Sequence, residues 1–235
     1  MISIIEYPDW GFGNRLLYYN NLRQLAEKNA DSWSTVPFNG HEHFENVIQY
    51  SRGANNVLNP CLGEKFFEWH STSTRNIFKL KEEASVPTKT VAIHFRGLDF
   101  QEWNPKAILS SEYYYKAIDQ TWDDGASQYV LFTDDDSLPS YNKMIEYLSK
   151  YKLPYSLGEN SKDRKHYIND FSKMCSCDYI ISSPSTYNIC AGFIGKHKKI
   201  IHSEEWVKER CEQDDKFWCD LYSGGNEDYS IWRLV

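Results

Sequence analysis

The 235-residue sequence predicts an α/β protein organised around a mostly parallel sheet with helices on both faces. Three observations lead there. Beyond residue 90, short apolar runs alternate with stretches of helical periodicity. The polar residues of those runs collect at their carboxyl ends, where open parallel sheets bind ligands. The chain also opens with an apolar run, two glycines and a helix, which is a further unit of the same kind.

In chain order, "MISIIEY" (1–7) reads as a strand that Gly11 and Gly13 interrupt. From Asn14, the residues Leu16, Leu17, Tyr19, Leu22, Leu25 and Ala26 recur at three- and four-residue intervals and mark one face of a helix. Residues 31–90 are less regular. There "STVPFNG" (34–40) and "SRGANNVLNPCLG" (51–63) read as loops and "HEHFENVIQY" (41–50) as a helix. "EASVPTKT" (83–90) predicts a boundary between an N-terminal lobe, 1–85, and a C-terminal lobe, 86–235. In the second lobe the strands "TVAIHFRG" (90–97), "SQYVLFTDDD" (127–136) and "KKIIHS" (198–203) are expected, and "YIISSPST" (179–186) as a strand followed by a loop. They alternate with the helices "SSEYYYKAIDQTW" (110–122), "SLPSYNKMIEYLSKY" (137–151), "DFSKMCSCD" (170–178) and "YNICAGFIG" (187–195).

Composition narrows the function. A net charge of −7 argues against a nucleic-acid partner, because phosphate backbones are bound through a surplus of Lys and Arg. An anionic ligand would have to be held by a few local cations and backbone amides. The 8 Trp and 17 Tyr fit a carbohydrate or nucleotide surface as well as core packing. No stretch reaches the roughly 18 apolar residues of a membrane span, and no basic segment precedes an apolar one at the start, so a soluble, cytoplasmic chain is expected. The six cysteines, 61, 175, 177, 190, 211 and 219, form no CxxC knuckle and are expected to be reduced thiols. His41 and His43 lie on different helix faces with no obvious third ligand, so no metal site is expected there.

Three segments carry chemistry. In "HFRGLDF" (94–100), His94 and Arg96 share one side of an extended chain, Gly97 lets the backbone turn, and Asp99 can fix the arginine fork or the loop. Arg96 supplies donors that match phosphate oxygens and never loses its charge. "GFGN" (11–14) and "SSPST" (182–186) both precede helices, where backbone N–H groups point at an anion. A plain turn and a Ser/Thr helix cap explain the same letters. Together the three describe a diphosphate pocket with one essential cation.

The ordered segments resemble the fucosyltransferase superfamily, its bacterial α-1,2 branch above all. "GFGNRLLYYNNLRQLAEK" is similar to the N-terminal motif, "VAIHFRGLDF" to HxRxxD, and "DFSKMCSCDYIISSPSTYNICAGFIG" to the serine-rich C-terminal motif, with "EYYYKAI", "YVLFTDDD", "KKIIHSEEW" and "IWRLV" also alike. Residues 31–90 are unmatched. The resemblance implies a GT-B architecture, two Rossmann-like lobes about a cleft with the N-terminal lobe reduced. It implies inverting, metal-independent transfer of a sugar, L-fucose in the first instance, from a GDP-sugar to a glycan hydroxyl, with no other cofactor. Arg96 would match the residue on the β-phosphate, with His94 and Asp99 beside it. Gly11, Gly13 and Asn14 would match the loop near donor and acceptor. Ser183, Ser185 and Thr186 would match the diphosphate-binding motif, and Asp134 an acidic residue on the nucleoside side. Gly97 and Leu98 depart from the HxRRGD of many α-1,2 enzymes, and Pro184 replaces an Asn. Glu6 and Asp9 are candidate bases by position alone. Two other readings stand beside this one: a metal-dependent GT-A transferase using Asp134 and Asp136, and a non-catalytic sugar- or nucleotide-binding module.

Overall fold

The computed structural model describes residues 1–7, 9, 11–45, 56–57, 75–159, 167–213 and 231–235. Contacts divide the chain into two units, Met1–Glu82 and Glu83–Val235. The expected loop over 51–63, the end of the expected helix over 46–50, and Cys61 and Cys219 lie outside the described residues, apart from residues 56–57.

In the first unit, β1 (Ile2–Ile4) lies between β2 (Trp33–Thr35) and β3 (Asn56–Val57), all parallel. The helix α1 (Phe12–Lys28) returns the chain from β1 to β2. Its residues Tyr18, Leu22 and Ala26 are buried with Ile2 and Ile4; Leu22 and Ala26 belong to the face expected from the sequence, and Tyr18 does not. Three expectations are corrected here. Asn56 and Val57, read as loop, form β3, paired with β1. Ser34 and Thr35, read as loop, belong to β2, because pairing with β1 and a Ser3–Ser34 hydroxyl bond of 2.6 Å satisfy polar groups that looked suited to solvent. The helix expected from residue 41 is a single 3₁₀ turn, His41–His43, and Phe44 continues extended, bridged to Leu80. His41 Nδ1 hydrogen-bonds the Phe38 carbonyl oxygen at 2.6 Å.

In the second unit, six parallel strands are ordered β6-β5-β4-β7-β8-β9. They are β4 (Thr90–Phe95), β5 (Gln128–Thr133), β6 (Tyr155–Leu157), β7 (Tyr179–Ile181), β8 (Lys199–His202) and β9 (Trp232–Leu234). Renumbered from β4, this is the 3-2-1-4-5-6 order of a doubly wound sheet, with its switch point between β4 and β7. The short α2 (Phe100–Trp103) and α3 (Ser111–Asp123) follow β4, α4 (Pro139–Lys150) follows β5, and α5 (Tyr167–Ser176) precedes β7. α6 (Thr186–Ile194) and α7 (Glu204–Glu212) follow β7 and β8.

All of β4 and nearly all of β5 is buried, which explains why they read as continuous apolar runs rather than alternating ones. α6 is apolar all round and buried from Asn188 onward. A Cβ on Gly192 would come within 2.8 Å of Ile200 and 2.9 Å of Trp232, so only glycine lets this helix sit so close to β8 and β9. The edge strand β6 is exposed throughout and was not expected. No described helix is long and apolar enough to cross a membrane. Cys175, Cys177 and Cys190 are buried and form no disulfide among the described residues, and burial pushes the Cys177 thiol up to about 12.

Candidate active site

Strand register builds the site. Phe95 pairs with Thr133, so the next residues of β4 and β5, Arg96 and Asp134, leave the sheet at the same level. Ile93 pairs with Ile181, which places Ser182 and Ser183 just past the end of β7, at the level of His94. Two tyrosines of α3 fix these ends. Tyr113 Oη donates to the carbonyls of Ser182 (2.6 Å) and Ile201 (2.9 Å), and Tyr114 Oη to that of His94 (3.1 Å).

Arg96 is tied on two sides. Its guanidinium donates through Nη1 to Asp134 Oδ2 and through Nη2 to Asp99 Oδ1 at 2.6 Å, and it lies over the Phe100 ring at 4.8 Å. Nε is buried with no acceptor among the described residues. The other Asp134 oxygen accepts from Gly97 N–H at 2.8 Å. Burial raises the Asp134 carboxyl above its ordinary range, and the Arg96 cation opposes that shift. Asp99 is largely exposed, so this second pair is the weaker and more easily exchanged one.

The chain turns directly after Gly97, as expected, with Phe100 N–H donating to the Gly97 carbonyl at 2.9 Å, but backbone freedom at Gly97 is not the reason. The left-handed residue is Leu98, with φ 37°, whereas Gly97 is required by packing: a Cβ there would stand 2.6 Å from the Asp135 Cβ. Asp135 is itself buried, its Oδ1 accepting from Ser137 N at 3.0 Å and from the Ser137 hydroxyl.

His94 turns toward β7 and α6. Its Nδ1 lies 2.7 Å from Ser183 Oγ and 2.9 Å from Asn188 Nδ2. Burial first, and the Arg96 cation second, depress its pKa to about 3, so the ring is neutral across the physiological range. Ser185 caps α6, accepting from Tyr187 N at 3.4 Å, and Thr186 is the first residue of that helix.

The structure therefore gathers His94, Arg96, Asp99, Asp134, Ser183, Ser185 and Thr186 around the carboxyl ends of β4, β5 and β7. Gly11, Gly13 and Asn14 belong to the first unit. Gly11 lies just outside α1 as its N-cap, in keeping with the expected loop, whereas Gly13 and Asn14, also read as loop, lie in the first turn of the helix. Gly11 has φ −58°, which any residue adopts, and a Cβ there would meet no described residue within 4 Å, so neither strain nor packing against the described residues demands glycine. Asp9 is exposed and pairs loosely with Arg15 at 3.4 Å.

Sequence reasoning missed Asn188, Tyr113 and Phe100 as parts of the site. For Asn188 a signal existed: it is a polar residue inside an otherwise apolar helix run. No family model, no curated protein and no solved structure matches the chain.

Proposed function

We propose that the protein is an inverting, metal-independent glycosyltransferase that uses a GDP-sugar, with GDP-L-fucose as the first donor, and that its two units act as the lobes of a GT-B enzyme. The observation that carries the reading is the placement of His94 and Arg96 at the carboxyl end of β4, the strand that borders the switch point of a doubly wound parallel sheet.

Cleaving a sugar–phosphate bond builds negative charge on the departing nucleotide, and a preorganised cation aimed at that phosphate lowers the barrier. Arg96 is preorganised: Asp134 and the face of Phe100 hold its plane, and Nε–H has no acceptor among the described residues. A phosphate would displace Asp99 and take the outward N–H groups, while Asp134 stays as the support. Asp134 thus positions the arginine, which replaces the nucleoside-side role expected for it. The acceptor hydroxyl attacks the anomeric carbon as the bond to phosphate breaks, inverting the centre, and its proton passes to a base or to solvent. Trp103, 57 % exposed and 5.0 Å from Phe100, offers a flat ring for a base or sugar near the phosphate site.

The Asp134-x-Asp136 alternative loses support because both Asp134 oxygens are engaged by Arg96 and the Gly97 amide. A thermal-shift screen tests the donor assignment. Stabilisation by GDP and not by UDP or CMP is expected, and stabilisation by UDP or CMP without GDP overturns it.

A further inference from the structure

The amide of Asn188 can be oriented without ambiguity. Its Nδ2 lies 3.0 Å from the Ser183 carbonyl oxygen, which can only accept, and its Oδ1 lies 2.8 Å from the Ser182 hydroxyl, which can donate. The flipped amide would set two carbonyl oxygens against each other, so the NH₂ group faces Ser183 and, at 2.9 Å, His94 Nδ1. Two N–H donors cannot face each other at that distance. Nδ1 must therefore present its lone pair, and the single proton of the neutral ring must sit on Nε2. Ser183 Oγ, 2.7 Å from Nδ1, donates to the same lone pair or relays from Nδ2, which reaches it at 3.1 Å. Asn188 is wholly buried, so solvent does not compete for these bonds.

We propose that Asn188 is a positioning residue that locks His94 in its Nε2–H tautomer, making His94 a permanent neutral hydrogen-bond donor and removing it as a proton acceptor at the site. No described residue accepts from Nε2, which leaves that donor for a ligand. The tautomer follows from the hydrogen-bond network alone; only its use, donation to the leaving nucleotide or to the sugar, rests on the glycosyl-transfer reading. The other tautomer would set two N–H groups against each other at 2.9 Å, so the Nε2–H form should exceed it by roughly ten to one or more.

Long-range ¹H–¹⁵N NMR of the imidazoles tests this on the free protein, with His94 assigned by its absence in His94→Gln. Wild type should show a protonated Nε2 and an unprotonated Nδ1 from pH 8 to pH 5. Ser183→Ala should leave that pattern, because Asn188 still donates. Asn188→Asp, of the same shape, should reverse it, because a carboxylate beside Nδ1 draws the proton there. A protonated Nδ1 in wild type overturns the proposal even if no variant folds. So does reversal by Ser183→Ala with none by Asn188→Asp. Failure of GDP to stabilise the protein would bear on the donor reading and leave these results untouched. If both hold, Asn188→Asp should also lower the rate of GDP release and shift its pH profile, with Asn188→Gln recovering less than wild type.

Discussion

Two buried histidines should make stability fall steeply on mild acidification. His94 and His202 are both held at about 3, in each case by burial first. In the unfolded chain each titrates near about 6.5. A folded pKa below the unfolded one means that the stability is complete above the unfolded value and is lost as pH falls toward the folded one. Between pH 7 and pH 5 the unfolded state gains a proton at each ring and the folded state does not. At about 1.4 kcal/mol per unit over roughly one and a half units, each histidine accounts for about 2 kcal/mol. Two such losses are a large fraction of a typical stability of roughly 5–15 kcal/mol. The raised carboxyl of Asp134 acts in the opposite sense, taking a proton in the folded state as pH falls, so the comparison is made between variants. Urea unfolding at pH 7, 6 and 5 is measured for wild type and for His202→Gln. The ring of His202 stacks on Trp232 at 5.3 Å, so the variant will lose stability at every pH. The readout is the slope with pH, which should be shallower by about 2 kcal/mol over this range. Parallel pH profiles for the two proteins would refute the reasoning.

Further outcomes follow from the same geometry. Gly97→Ala should destabilise the protein by about 1–3 kcal/mol in urea unfolding, because the new Cβ would meet Asp135 at 2.6 Å and both are on fixed backbone. GDP at a hundred times its dissociation constant should add roughly 2.7 kcal/mol of apparent stability. On the glycosyltransferase reading Asn14→Ala should slow transfer while leaving the unfolding midpoint near wild type, and unchanged kinetics would make the first turn of α1 purely structural. Asp134→Asn should weaken GDP binding through a loosened Arg96, whereas Asp136→Ala alone should leave binding unchanged, as calorimetry can establish.

Much of the second unit was legible in its residues. β4 and β5 are buried on both faces, so "TVAIHF" and "QYVLFT" announce themselves as unbroken apolar runs, and α6 does so as a helix apolar all round. Arg96 and Asp99 could be singled out because a charged fork and a carboxylate at a strand end are chemically conspicuous. What stayed hidden was decided by tertiary pairing. β6 and β2 are three-residue strands held by a neighbouring strand rather than by an apolar signature. Asp134 became the partner of Arg96 through the register of β4 on β5, which no local pattern encodes. Asn188 acts on a residue 94 positions away. At Gly97 the wrong physical reason was inferred, since close approach to Asp135 and backbone freedom both call for glycine and only the packing tells them apart.

The central claim is that Arg96, without a metal, carries the charge of the leaving nucleotide. It is tested most directly by measuring GDP release from GDP-fucose and from other GDP-sugars, with EDTA present, for wild type, Arg96→Ala and Arg96→Lys. The account predicts release by wild type at a rate the chelator does not change. It predicts a loss of two or more orders of magnitude for Arg96→Ala, about 3–4 kcal/mol, as when one preorganised donor is removed. Lysine should recover little, because a point charge lacks the planar fork that holds two phosphate oxygens. Activity that survives Arg96→Ala and disappears with EDTA, or no release from any GDP-sugar, would contradict it.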